Sequence, residues 1–165
     1  MRSNLSPVRT AQTGNIAIAI LTVETLGEGF FEITRETARF LETIEASDGA
    51  LLLFLRHTSA SLVIQENADP DVQRDLLTAL KRVAPADAGW IHDVEGPDDM
   101  PAHIKSMLAG ISLHVPVAGG KMLLGTWQGI YLAEHRARPH RRQVVLQFVG
   151  ALSDFASVIR ANHSA

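Results

Sequence analysis

Four short segments carry side chains able to hold a metal, an anion or a planar substrate: His57-Thr-Ser59, His92-Asp-Val-Glu95, His103-Ile-Lys105 and Gly125-Thr-Trp-Gln-Gly129. An imidazole at the end of an apolar run can bind metal through one ring nitrogen while a hydrogen bond fixes the other, which makes His57 a candidate ligand. The same loop also reads as a polar connection between strands. Glu66-Asn67 stands just before a helix start, where Glu66 is either a ligand or general base or a carboxylate facing backbone NH groups.

Two histidines, a carboxylate and a lysine within 92–105 could hold a divalent cation and a phosphate together. His103 lies near a helix N-terminus, which favours anions, and Lys105 adds a point charge. The alternative is a capped helix with solvated polar groups. In the glycine-flanked segment, Trp127 offers a flat face and Gln128 a donor and an acceptor, although glycines in strands also mark bulges. His135-Arg-Ala-Arg-Pro-His-Arg-Arg142 reads as a solvated hairpin tip or, if it faces the other clusters, as an electropositive rim.

Several chemistries are excluded or disfavoured. With no cysteine in 165 residues, thiolate ligands, thiol nucleophiles and disulfides are absent, so any metal must use His, Asp or Glu. No His-Glu-x-x-His, phosphate-loop, Gly-x-Gly-x-x-Gly or Gly-x-Ser-x-Gly pattern occurs. A net charge of -3 argues against nucleic acid as a partner. No apolar run approaches the ~20 residues of a membrane helix, and residues 1–13 lack the apolar core of a signal peptide. The expectation is a cytoplasmic protein with no membrane partner.

The elements that must position these residues follow from periodicity. Asn15 to Val23 reads as a strand, Gly27-Glu-Gly29 as a turn and Phe30 to Ile33 as its hairpin partner. Thr34 caps a helix that Ser47-Asp-Gly49 ends. Ala50 to Leu55 reads as a buried strand and Ser61 to Gln65 as a shorter one. Asp69-Pro70-Asp71 opens a helix with the apolar stripe Val72, Leu76, Leu77, Leu80 and Val83, closed by Lys81 and Arg82. Residues 85–99 form a long irregular segment, a length that often marks function. Asp98 or Asp99 then caps a short helix in which Ile104, Met107 and Leu108 share a buried face. Ile111 to Val115, Lys121 to Thr126, Gly129 to Glu134 and Gln143 to Val149 read as strands, with a turn at 117–120. Asp154 to Ala161 reads as a terminal helix. Strands in hairpin-like groups with inserted helices give an α+β fold with a mainly antiparallel sheet. It forms one domain over 14–165 behind a loose arm at 1–13.

Three stretches taken in order resemble the YjbQ-like family. They are His57-Thr-Ser-Ala-Ser-Leu-Val-Ile-Gln-Glu-Asn-Ala-Asp-Pro-Asp-Val72, Asp98-Asp-Met-Pro-Ala-His-Ile-Lys-Ser106 and Leu124-Gly-Thr-Trp-Gln-Gly-Ile-Tyr131. One departure is visible: family members commonly show Glu-Gly-Asn closely followed by Asp-Ala-His, whereas Glu95-Gly96 here leads into Pro97-Asp-Asp-Met-Pro-Ala-His103. The resemblance implies a homotrimer and the family's label of secondary thiamine-phosphate synthase. That transferase joins an aminopyrimidine diphosphate to a thiazole phosphate and releases pyrophosphate.

Carried over by position, the resemblance gives His57, Thr58, Ser59, Glu66, Asn67, His92, Glu95, His103, Lys105, Trp127, Gln128 and Glu134. The resulting expectation has His57, Glu66, His103 and Lys105 as catalytic residues. His57, His92 and His103 bind a divalent cation, magnesium or zinc. Thr58, Ser59, Asn67, Glu95, Trp127, Gln128 and Glu134 contact a phosphorylated small-molecule substrate. Two other readings use the same residues: a metal- or metabolite-binding trimer without turnover, and a metal-dependent phosphate hydrolase.

Overall fold

Alternating apolar residues build two antiparallel sheets whose inner faces share one core. The computed structural model describes residue 10 and residues 12–153. In chain order the elements are β1 (Asn15–Thr25), β2 (Gly29–Glu32), α1 (Thr34–Thr43), β3 (Ala46–Leu55), β4 (Ala60–Glu66), α2 (Pro70–Val83), α3 (Asp99–Ala109), β5 (Ser112–Ala118), β6 (Lys121–Met122), β7 (Gln128–Glu134) and β8 (His140–Leu152). One sheet has the order β1-β8-β3-β5-β6, the other β2-β7-β4. This is the expected single-domain α+β fold. The arm at 1–13 and the helix expected at 154–161 lie largely or wholly outside the described residues.

The core forms where Leu51, Leu53 and Leu55 of β3 meet Val144, Leu146 and Phe148 of β8, Val115 of β5, Leu62 of β4 and Ile130 and Leu132 of β7. Period-two alternation sends these side chains to one face, and each fully buried aliphatic contributes about 1.5–3 kcal/mol. Leu41 of α1 closes the layer from its end. The β3 run was expected to be buried throughout, yet only one face is. Phe54 is exposed, as are Ile16, Ile18 and Ile20 of β1 and Val149 of β8, so the outer face of the larger sheet is apolar and open.

Several local expectations are corrected. β2 does not pair with β1: it pairs with β7, while β1 pairs with β8 from Asn15↔Gly150 to Thr25↔His140. The tight glycine turn therefore moves the chain from one sheet to the other. α1 starts after Ile33, and the Thr34 hydroxyl accepts from Ile130 N (2.9 Å), docking the helix on β7. Ser47-Asp-Gly49 belongs to β3, at a bulge between Ala46 and Gly49. There a Cβ on Gly49 would lie 2.5 Å from the Val149 carbonyl, so only glycine fits. The 117–120 turn and the following strand contract to a tight turn at Gly119-Gly120 and the two-residue β6.

α2 agrees with expectation: Asp69 Oδ1 accepts from Asp71 N (2.8 Å), Pro70 starts the helix, and Lys81 and Arg82 end it. α3 faces the other way from expectation. Met107 and Leu108 are exposed, and its buried residues are Asp99, Pro101, Ala102, Lys105 and Ser106. The physical reason is ionic pairing, which draws Asp99 and Lys105 inward.

Candidate metal centre

The 92–103 region converges on one carboxylate. Asp99 and His103 sit four residues apart on α3 and therefore share a helix face. His92 reaches them from the irregular segment before the helix. His92 Nε2 lies 2.9 Å and His103 Nε2 3.6 Å from Asp99 Oδ2. One donor atom from each of the three residues lies within 4.8 Å of the others. Nitrogen and oxygen donors bonded to one ion at about 2.0–2.1 Å lie within roughly 4.2 Å of each other, and both measured separations meet that limit.

Asp99 Oδ2 is buried and makes no hydrogen bond, although His92 Nε2 lies 2.9 Å away. A buried carboxylate oxygen without a donor is costly, and a cation would satisfy it. The other oxygen, Oδ1, is held by Arg136 Nη1. His103 Nδ1 meets the Thr58 carbonyl at 3.0 Å. A carbonyl only accepts, so Nδ1 carries a proton and donates it, which turns Nε2 towards Asp99. This is the outer arrangement that metal-binding histidines use.

Arg136 organises the support. Its Nε lies 3.2 Å from Asp98 Oδ2, its Nη2 donates to the Glu95 carbonyl (2.8 Å), and Nη1 also reaches Glu95 Oε2 at 3.4 Å. Ala137 N donates to Asp98 Oδ2 (2.8 Å). Burial alone would raise the Asp98 pKa, but the Ala137 amide and the Arg136 guanidinium hold it below its ordinary value. The arginine-rich segment divides: Arg136 and Arg142 are buried in ion pairs, whereas residues 137–139 and 141 are exposed, as expected of a solvated tip.

His57 is placed beside the triad rather than in it. Its Nε2 accepts from Gln143 N (3.0 Å), and Arg142 Nη1 stands 3.5 Å from its Nδ1. Burial, and then the guanidinium charge, lower its pKa, so the ring is neutral at pH 7. His57, Thr58, His103, Met107 and Ile111 line a cleft of about 340 Å³, within the usual range for small-molecule sites.

The remaining expected residues divide into three groups. Glu134 is fully buried: Arg142 Nε and Nη2 donate to it (2.7 and 2.6 Å), as do Thr25 Oγ1 (2.9 Å) and Arg136 N (3.0 Å). Ser59 Oγ accepts from Arg142 Nη2 (3.1 Å), so Ser59 and Glu134 form a buried brace behind His57. Lys105 points away from His103, being two residues on, and its Nζ lies 2.7 Å from Glu28 Oε1. Glu66, Asn67, Trp127 and Gln128 form a separate pole, with Asn67 N donating to the Trp127 carbonyl (3.0 Å) and Gln128 closing the turn through Gly125 N (2.8 Å). β4 and β7 pair from Ala60↔Glu134 to Glu66↔Gln128. Six residue steps of about 3.3 Å set the two poles roughly 20 Å apart.

Asp99 and Arg136 were not among the residues expected at the site. The Asp99-x-x-x-His103 spacing carried a usable signal for the first. The second depends on a loop contact 37 residues distant, for which no local pattern exists.

Comparison with known proteins identifies relatives of this chain. The family model described as UPF0047 protein YjbQ-like matches residues 19–151. A UPF0047 protein of Synechocystis is 44% identical over 132 residues, covering 79% of this chain and 90% of that protein. The UPF0047 protein YjbQ of Salmonella typhimurium is 43% identical over 131 residues, 79% of this chain and 95% of that protein. The crystal structure of an uncharacterized conserved protein of the yjbq/upf0047 family from Clostridium acetobutylicum is similar with a TM-score of 0.74 at 38% identity. It covers 79% of this chain and 98% of that one.

Proposed function

The chain belongs to the UPF0047 YjbQ-like family, and from that premise we propose that it is a divalent-metal-dependent enzyme acting on a phosphorylated small molecule. The specific reaction proposed is the joining of an aminopyrimidine diphosphate to a thiazole phosphate with release of pyrophosphate. The observation that carries the metal part is Asp99 Oδ2, a buried oxygen without a hydrogen bond that faces two imidazoles beside an open cleft. Two nitrogens and one carboxylate favour zinc over magnesium, which prefers oxygen ligands and retained water.

His92, Asp99 and His103 would hold the ion, which when bound supplies Lewis-acid neutralisation of the charge leaving with pyrophosphate. The chain's own residues do the rest. Thr58 holds His103 through its carbonyl, and Arg136 orients Asp99 by pairing with its Oδ1. His57, held by Gln143 N at its Nε2, forms one wall of the cleft, and Met107 and Ile111 give a bound substrate apolar surface. Lys105, engaged with Glu28, takes no part in this scheme.

Trp127 and Gln128 stand too far from the triad within one chain to grip the same substrate. The reading therefore includes self-association, a homotrimer, in which one copy's Trp127 pole meets another's triad. The exposed Ile16, Ile18, Ile20 and Phe54 face supports burial against a further copy.

The test is elemental analysis of the purified protein and of His103→Ala, followed by a pyrophosphate-release assay. Stoichiometric metal that is lost in the variant, with metal-dependent pyrophosphate release, is the expected result. Metal bound without turnover would make the protein a binding module, and inorganic phosphate in place of pyrophosphate would make it a hydrolase. No metal in either protein would overturn the reading.

A further inference from the structure

α2 carries an apolar stripe but buries none of its residues fully. Protein interiors normally close to crystal-like density, yet between this helix and the β2-β7-β4 sheet lies a cavity of about 400 Å³, lined by Phe30, Leu62, Leu76, Leu80 and Ala133 and by the ring of His135. A second cavity of about 300 Å³ also touches that ring and is lined by Glu28, Lys81, Pro101 and Lys105. His135 is 2% exposed and is the residue the two cavities share.

The polar chemistry at this junction is incomplete. His135 Nε2 is 2.7 Å from Ser61 Oγ, whereas Nδ1 is buried without a hydrogen-bond partner. In the tautomer where the Ser61 hydroxyl donates to Nε2, the ring proton sits on Nδ1 and lacks an acceptor. Lys81 and Lys105 share one carboxylate, Glu28, at 2.8 and 2.7 Å. Asp98, at the edge of the second cavity, is already matched by Arg136. Two ammonium groups thus share one carboxylate, and a buried ring nitrogen goes unmatched, beside an apolar cavity.

We propose that the cavity beneath α2 binds an amphiphilic carboxylate: an apolar chain or ring occupies the gap between α2 and the sheet, and the carboxylate head accepts from His135 Nδ1 and pairs with Lys81 and Lys105. Both cavity volumes suit a small molecule. The apolar stripe of α2 would complete its burial on the ligand rather than on the protein. Burial holds the His135 pKa down at about 4, with the Lys105 charge adding to the effect. The imidazole is therefore neutral and acts as a donor without competing for the ion pair. This site is separate from the His92–Asp99–His103 triad and does not depend on metal.

The experiment is titration of the full chain with octanoate, octanol and butyrate, followed by calorimetry and amide NMR. Octanoate is expected to bind at one site per chain, with shifts in α2 and β7. Octanol should bind at least tenfold more weakly for want of charge, and butyrate not measurably for want of a chain. Lys81→Met, a change at an exposed position, should weaken octanoate about fivefold or more. Leu76→Trp, which fills the gap, should abolish binding, and His103→Ala should leave it unchanged. Equal affinity for octanol and octanoate, shifts confined to β1, indifference to Lys81→Met, or no saturable binding in the millimolar range would each overturn the proposal.

Discussion

His92 Nε2 stands 2.9 Å from Asp99 Oδ2, on a carboxylate whose other oxygen is held by Arg136. Asp99 is thus divided between a permanent cation and a position suited to an exchangeable one. Asp99→Asn removes the charge on both sides, so metal affinity should fall by at least a hundredfold while far-UV circular dichroism is retained. Unaltered metal stoichiometry in this variant would remove Asp99 from the ligand set.

Arg136 touches no proposed donor atom except through Asp99, so it is a positioning residue. Arg136→Lys keeps the charge and loses the planar fork that spans Glu95, Asp98 and Asp99. Metal affinity should drop about 10–100-fold, the range for supporting groups one layer out. Hydrogen exchange in residues 93–99 should also accelerate. A purely structural role elsewhere would leave metal affinity untouched.

Glu134 and Arg142 form a buried pair with every carboxylate oxygen engaged. Burial would raise the Glu134 pKa, but the Arg142 hydrogen bonds and charge hold it below the ordinary value. Glu134→Gln leaves a buried guanidinium short of its counterion and should cost about 3–5 kcal/mol in urea unfolding. For the unaltered protein the sign follows from proton binding. The depressed carboxyl contributes stability above its unfolded pKa, and that contribution is lost as pH falls through the lower folded value.

His135 gives a second pH dependence, in a different window. Its folded pKa is about 4 against an ordinary 6.5, so between these values the unfolded chain takes up a proton that the folded chain refuses. Stability should therefore fall on acidification from pH 6.5 towards 4, by up to about 1.4 kcal/mol per pH unit from this group. His135→Asn should flatten the unfolding free energy across that interval, and an unchanged slope would contradict the assignment.

The parts of the fold that were legible in the sequence are those set by local rules. Asp69-Pro70 opens α2 because capping and proline geometry act within three residues, and β4, β7 and β8 appear as apolar runs. Strand partnership was not legible. The glycine turn after β1 is compatible with a hairpin, and only the distant β8 sequence explains why β1 pairs elsewhere. The burial of Lys105 and Arg136 was hidden for the same reason, since their partners Glu28 and Asp99 lie 77 and 37 residues away. Of the site, His92 and His103 were legible as ligand types. Asp99 reads in the sequence as a helix cap, and its four-residue spacing to His103 is the one local signal of a ligand role.

The pairing of β1 with β8 also imposes an order on the making of the protein. β1 spans residues 15–25 and its one partner among the described residues spans 140–152, so during synthesis the first strand waits for nearly the whole chain. Through that interval Ile16, Ile18 and Ile20 sit on a strand with neither edge satisfied, the condition in which nascent chains associate wrongly. Ribosome-bound chains stalled before residue 140 should therefore need a holding chaperone. A premature stop just upstream of β8 should yield aggregate rather than a shortened domain.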